Sequence, residues 1–300
     1  MAKCLVTGGA GFIGSNLVDV LIEEGHEVLI IDNLSTGKKE HINPKAKFFE
    51  LDLRDFEKIK PIFEGVDFVF HEAALARVNP SIKDPIKYND NNVNGTLNTL
   101  VAARDAGVKK VVYASSSSIY GDQKVMPLTE DMVANPTSPY GLQKYIGEQY
   151  CRVFSYLYNL PTVCLRYFNV YGKRMALEGA YASVISIFGQ QRQKGEPMTI
   201  TGDGTHLRTY TYVGDIVRGN ILAAKSDIAD GRAINTGQST EYSVNQIAEM
   251  FGGPTVNIEP RIEPDRNLCS NKLAKELLGW EPTIDLPEWL PTYKKEMGIE

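Results

Sequence analysis

Apolar residues in this chain fall in short unbroken runs set between polar turns. The runs alternate with longer stretches whose apolar positions recur at helical spacing. Residues 2–7 and 27–32 read as buried strands, and Ser15 to Gly25 between them as an amphipathic helix. Lys47 to Leu51, Asp67 to His71, Lys109 to Ala114 and Pro161 to Arg166 predict four more strands. Asn91 to Ala106 and Tyr140 to Tyr158 predict long helices. Strand and helix in strict alternation predict an α/β fold built on a doubly wound parallel sheet. Beyond about residue 168 the rhythm loosens. A helix is expected over 180–195, short strands over 197–200 and 209–213, and a helix over 214–224. A strand at 232–235 is expected to rejoin the main sheet. The predicted division is a nucleotide-binding domain over 1–168, completed by about 212–236, and a smaller C-terminal unit from 169–211 and 237–300.

The chemistry begins where the first strand meets the first helix, at Thr7-Gly8-Gly9-Ala10-Gly11-Phe12-Ile13-Gly14. Spaced glycines there let the backbone approach a pyrophosphate, and a helix opening at Phe12 and Ile13 directs unpaired N–H groups at negative charge. The second strand ends in Asp32-Asn33. A carboxylate at that place accepts from the hydroxyls of an adenosine ribose and repels a 2′-phosphate, so NAD is expected over NADP. Leu34-Ser35-Thr36-Gly37 forms a loop able to wrap that ribose. Asp52, followed by Leu53, is an acceptor for an adenine amine or the N-cap of the next helix. Ala73 and Ala74 leave room for a flat ligand or simply pack. Asn92, placed with the cofactor set, makes an internal polar link between strands or caps its helix.

Composition narrows the field only slightly. The 300 residues are 43% hydrophobic and 23% charged, with a net charge of -5. That is ordinary for a soluble globular protein and argues against a general nucleic-acid surface. Four cysteines without close spacing and four histidines make a metal site improbable. No signal peptide and no membrane span of about 18 apolar residues is evident. A reducing, cytoplasmic setting is expected.

Tyr140 and Lys144 stand one turn apart on a predicted helix. An ammonium beside a phenol favours the phenolate, which can take a proton from an alcohol while a nicotinamide takes the hydride. Ser116, in the run Ser115-Ser116-Ser117-Ser118, ends a strand on the expected cofactor side and could steer the substrate oxygen. The alternative is an ordinary surface pair on a tyrosine-rich helix. Arg208 could grip a substrate diphosphate with its fork, and Arg174, Arg192, Arg261 and Arg266 are the other basic candidates. Asn169 ends a strand on the ligand side. The chain has no G-x-S-x-G elbow to support a hydrolase.

Taken together, the glycine turn, Asp32 to Gly37, His71-Glu72-Ala73-Ala74, Ser116, Tyr140 with Lys144, Leu165 to Gly172, and Arg208 through Tyr212-Val213-Gly214-Asp215 resemble the extended short-chain dehydrogenase/reductase family. The resemblance implies a seven-stranded Rossmann domain and a smaller C-terminal substrate-binding domain. It also implies a homodimer made by the helix after Asn92 and the helix carrying Tyr140. Within that family, dehydratases usually carry an Asp-Glu pair just before the Tyr-Gly motif, and UDP-glucuronate decarboxylases keep the Glu. Here those places hold Ser117 and Ser118. The pattern is therefore similar to the UDP-glucose and UDP-N-acetylglucosamine 4-epimerase group, with a UDP-sugar substrate and NAD as cofactor. The resemblance places Asn267, ahead of Leu278-Gly279-Trp280, at a gate where a bulky Tyr excludes N-acetyl groups. It gives Arg261 a substrate role, although Arg261 stands closer to the gate than the family pattern has it, after a short helix from Ser243 to Phe251. A nucleotide-sugar 4-reductase, a 4,6-dehydratase and a non-catalytic dinucleotide sensor are the alternatives.

Overall fold

Seven of the short apolar runs pair into one parallel sheet in the computed structural model, which describes residues 1–177, 182–260 and 266–299. The strands are β1 (Lys3–Thr7), β2 (Glu27–Asp32), β3 (Lys47–Glu50), β4 (Phe68–His71), β5 (Lys110–Ser116), β6 (Thr162–Tyr167) and β7 (Ala233–Thr236). Their order across the sheet is β7-β6-β5-β4-β1-β2-β3, every pairing parallel. The central strands are covered on both faces, which is why they read as continuous apolar runs. Alternate side chains go to opposite layers. Val6, Ile30, Phe70, Val112 and Leu165 pack under α1 (Phe12–Glu23) and, from far along the chain, a helix at Val213–Lys225. Leu5, Ile31, Val69, Val111 and Cys164 pack on the other face, against the helices Gly95–Asp105 and Pro139–Tyr158. In chain order these three helices are α2 (Gly95–Asp105), α3 (Pro139–Tyr158) and α4 (Val213–Lys225).

This winding reverses direction between β1 and β4. From β1 the chain steps outward to β2 and β3, then returns to β4 and proceeds the other way. The loops leaving β1 and β4 therefore diverge and open a crevice at the C-terminal edge of the sheet, the usual ligand position in such folds. A separate apolar cluster, with Tyr171, Phe188, Phe251, Leu290 and Tyr293, is built by residues beyond β6. Phe12, at the start of α1, packs against it.

Element boundaries moved in two instructive places. The helix expected from Asn91 starts a turn and a half earlier, at Pro85, because Asp84 accepts from the Lys87 N–H at 3.1 Å and Pro85 occupies the first position. One wider turn, Asp90–Asn94, joins it to α2. The strand expected over 209–213 divides at Tyr210: Leu207–Thr209 joins Glu241–Ser243 and Arg266–Asn267, while Thr211–Tyr212 pairs with Val170–Tyr171. The helix expected over 180–195 is described as Val184–Gln193, capped by Ser183; residues 178–181 lie outside the described residues. All four cysteines are buried and unpaired. No helix among the described residues is long and apolar enough to cross a membrane.

Under the Ser115 end of β5 lies a buried ion pair. Arg166 Nε and Nη2 donate to the two Glu148 oxygens at 2.9 and 2.8 Å, Ser115 Oγ donates to the same carboxylate, and Arg166 Nη1 donates to the Tyr120 hydroxyl at 2.8 Å. The two side chains are 6% and 3% exposed. Removing one partner leaves the other charge buried without compensation, and this costs about 3–5 kcal/mol. Glu148→Ala is accordingly expected to lower the free energy of unfolding by about that amount in denaturant titrations; a change near zero would show that the pair carries no such constraint.

Candidate active site

The turn after β1 is held from both sides. Gly8 N–H donates to the Ile31 carbonyl at 2.8 Å, and Gly11 N–H donates to Gly8 O at 3.0 Å. Gly8 has φ +72°, and a Cβ there would lie 2.7 Å from the Ala73 backbone. The glycine is thus required twice, by conformation and by the approach of the β4 exit. A Cβ on Gly14 would lie closer still to its neighbour, 2.3 Å from the Gly8 carbonyl oxygen. The α1 N-terminus has no side-chain cap and no acidic residue in its first turn. Its first N–H groups, those of Phe12, Ile13 and Gly14, have no partner within the helix.

Asp32 pins this turn. Its Oδ2 accepts from Ala10 N–H at 3.0 Å and its Oδ1 from Leu34 N–H at 2.8 Å. Burial pushes the carboxyl up, and these two bonds pull it back. Gly37 closes over the carboxylate, where a Cβ would sit 2.8 Å from both oxygens. The Asn33–Gly37 loop therefore folds back on Asp32 and leaves Ser35 and Thr36 exposed. Asn33 Nδ2 donates to Asp52 at 2.8 Å, and Arg54 grips both Asp52 oxygens. Those bonds to Arg54 hold Asp52 well below the usual carboxylate range. Asp52 is not a helix cap; the short helix Phe56–Ile59 follows Asp55. Leu53 packs inward beside Gly95.

On the other side of the crevice Ala73 and Ala74 are half-buried. Asn92, 2% exposed, accepts from Leu75 N–H at 2.8 Å and donates to Leu75 O and to Gln143 Oε1 at 3.0 and 2.9 Å. It makes an internal polar link, but one that ties the β4 exit to α3 rather than strand to strand.

Helix α3 starts cleanly. Ser138 accepts from Gly141 N–H at 3.1 Å, and Pro139 follows. Tyr140 sits in this first turn, its N–H donating to the buried Ser81 Oγ at 3.1 Å. A Cβ on Gly141 would be 2.6 Å from Ser118 O, so the helix start packs directly on the serine run. Ser116 ends β5, its Oγ accepting from Ser118 N–H and Oγ at 3.2 and 2.9 Å. Lys144 is 3% exposed and donates to the Ala114 carbonyl at 2.7 Å, with Nζ 5.0 Å from the centre of the Tyr113 ring. Burial draws its pKa down to about 8. Ser116 thus stands at the end of β5, and Tyr140 and Lys144 stand in the first turns of α3, which packs on the serine run.

Facing them is the small three-stranded sheet. Arg208 lies on its central strand, in register with Tyr242 on one side and Asn267 on the other. Asn267 Nδ2 donates to Ser117 Oγ at 3.3 Å, and its buried Oδ1 makes no hydrogen bond. Asn169 is exposed at φ +30°, its amide donating to Thr209 O at 2.8 Å. Arg261 lies outside the described residues. Sequence reasoning passed over Ser81, Gln143, Glu72 and Tyr167. Only Glu72 left a visible signal there, a carboxylate at the end of an otherwise apolar strand.

Residues 4–237 match the NAD dependent epimerase/dehydratase family, and the chain belongs to that family. It is an enzyme of this class, and its cofactor is NAD. A UDP-glucose 4-epimerase from Mycolicibacterium smegmatis is 37% identical over 303 residues, covering 95% of each chain. A crystal structure of the Thermotoga maritima UDP-glucose 4-epimerase with UDP-glucose is 39% identical, with TM-score 0.94 over 98% of this chain and 99% of that one. A UDP-N-acetylglucosamine 4-epimerase from Methanobrevibacter ruminantium, in complex with UDP-N-acetylmuramic acid, is 35% identical, with TM-score 0.92 over 99% of this chain and 97% of that one.

Gly8 answers two geometric demands at once, a left-handed φ and the close approach of Ala73. Gly8→Ala forces a side chain into the Ala73 backbone at a left-handed φ. The variant is expected to keep a cooperative unfolding transition but to bind NAD at least about tenfold more weakly by calorimetry. Unchanged affinity would show that the turn tolerates the displacement.

Proposed function

We propose that the chain is an NAD-dependent 4-epimerase of UDP-hexoses, interconverting UDP-glucose and UDP-galactose and admitting the N-acetylated pair as well. The observation that carries this reading is the start of α3, which holds Tyr140 and Lys144, packing on the serine run that holds Ser116, with Ser117 and Ser118 where an elimination would need carboxylates. The similarity to UDP-glucose and UDP-N-acetylglucosamine 4-epimerases supports it.

The residues present fit NAD. The Gly8–Gly14 turn and the uncapped start of α1 would take the pyrophosphate, and the buried Asp32 carboxylate would take the adenosine ribose hydroxyls. Asp52 would accept from adenine, while Ser35, Thr36 and Gly37 would line the ribose and Ala73 and Ala74 the opposite wall. Bound there, NAD would supply the acceptor for the hydride on the sugar C4 and the donor for its return. Tyr140 acts as base toward the 4-hydroxyl in the first half and as acid in the second. The Lys144 ammonium favours the phenolate, and Ser116 holds the oxygen on which the proton moves. A dehydratase needs its own acid and base at C5 and C6, which Ser117 and Ser118 do not supply.

Beyond the sheet, the apolar cluster around Phe188 and Tyr293 marks the smaller substrate unit in this reading. Arg208 would meet the diphosphate from its central strand, and Asn169 would join it; Arg261 keeps that role only as a sequence expectation. Asn267 would leave room for an N-acetyl group. A second copy of the chain would cover Leu142, Val153, Tyr156 and Leu157, which α3 leaves exposed. Four buried free thiols suit a cytoplasmic, reducing setting.

Purified protein given UDP-glucose or UDP-N-acetylglucosamine, without added reductant, is expected to form the C4 epimer of each, read by chromatography. Tyr140→Phe is expected to lower kcat by about 10²–10⁴ with NAD still bound. An active Tyr140→Phe enzyme, or release of water from the sugar, would overturn the reading. Asn267→Tyr is expected to lose the N-acetylated substrate while keeping UDP-glucose; equal loss of both would remove Asn267 from the gate. Light scattering is expected to give twice the 33.3 kDa chain mass, and Leu157→Glu to halve it; a monomeric parent would leave that face of α3 without a partner copy.

A further inference from the structure

Tyr113 stands in the middle of β5 and has no part in the roles assigned above. Strand alternation sends it, with Val111, to the face that α3 covers. Two features of the chain make a seat for its ring. Gly147, inside α3, has no side chain, and a Cβ there would lie 2.1 Å from the Tyr113 hydroxyl. Glycine weakens a helix interior, so α3 gives up some helix stability to admit the ring. His71, the register partner of Tyr113 on β4, stacks against the same ring with 5.7 Å between centres. His71 is itself fixed at both nitrogens, Nδ1 to Thr7 Oγ1 at 2.7 Å and Nε2 to Thr96 Oγ1 at 2.9 Å.

The group set over this ring is Lys144. Its Nζ lies over the ring face, 5.0 Å from the centre. An ammonium has three N–H groups, and the hydrogen bond that Lys144 makes goes to the neutral Ala114 carbonyl at 2.7 Å. Glu148, the one carboxylate on α3, is held at two points by Arg166 and by Ser115. An aromatic face carries negative charge density and attracts a cation within about 6 Å, more strongly where water is excluded. Burial pushes the Tyr113 hydroxyl well above its ordinary range, so the ring stays neutral, and burial keeps His71 uncharged. The other titratable groups acting on Lys144 are Glu72, Glu148, Cys151 and Cys164. Those acting on Tyr113 are Cys151, Cys164, Glu148 and Tyr140.

We propose that Tyr113 is a positioning residue for the reaction: its ring face, seated by Gly147 and His71, holds the buried Lys144 ammonium in place by a cation–π contact. The proposal rests on the reading of Lys144 and Tyr140 given above, and one experiment separates the two. Lysine labelled with carbon-13 at Cε is titrated by NMR in the NAD-loaded enzyme without substrate, the Lys144 signal being assigned by its loss in Lys144→Arg. Tyr113→Phe is the reference, since it keeps the ring and removes a buried hydroxyl that makes no hydrogen bond. Phenylalanines fluorinated at one and then at three ring positions are placed at 113. Fluorine draws charge from the ring face with little change of shape.

The Lys144 midpoint is expected to fall with each step, by about one pH unit over the series, because weakening an attraction to the ammonium favours the neutral amine. A midpoint that holds across the series would overturn the proposal, since a ring that only fills space packs as well with fluorine as without. The alkaline limb of kcat is read in parallel. A Lys144 midpoint that falls while kcat keeps its profile would uphold the contact and would instead count against the role of Lys144 in the reaction.

Discussion

Asp32 is the contact on which the crevice depends. Its carboxylate is nearly closed off from solvent and is held by two backbone N–H groups, one in the glycine turn and one in the loop after β2. Burying a carboxylate is costly unless hydrogen bonds replace its water. Here they do so, and the result is a fixed distance between the two loops. The same constraint explains why Gly37 and Gly8 have no side chains. One packs on the carboxylate, and the other packs on the exit of β4. A site of this kind is shaped chiefly by what the backbone must avoid.

The second organising fact is how charge is buried beneath the crevice. Arg166 and Glu148 satisfy each other at two points between β6 and α3, and that pair fixes the height of the helix above the sheet. Lys144, one turn earlier on α3, is as deeply buried but is bonded to a carbonyl. Burial lowers its pKa, and in the proposed reaction an ammonium at that place would favour the Tyr140 phenolate.

The sheet and its two helical layers could be read from the pattern of apolar runs, because parallel strands buried on both faces leave an unmistakable imprint. The glycine turn, Asp32 and the Tyr140–Lys144 pair were legible for a similar reason: local sequence alone produces the turn, the strand end and the helix face. What escaped notice depended on distant partners. Asn92 could be read as an internal polar link, but its bonds to Leu75 and Gln143 exist only once α3 has docked. The early start of the helix at Pro85 was signalled locally by Asp84, a capping pattern that periodicity alone passed over. The juxtaposition of Arg208 with Asn267 arises from strand register between segments nearly sixty residues apart, which no local pattern encodes.

The central claim is that the hydrogen on C4 leaves the sugar and returns to the same carbon without reaching solvent. UDP-glucose carrying deuterium at C4, turned over in ordinary water and followed by mass spectrometry and NMR, tests this directly. The account predicts UDP-galactose that retains the deuterium at C4. Deuterium washed out of C4, or solvent hydrogen appearing at C5, would contradict it.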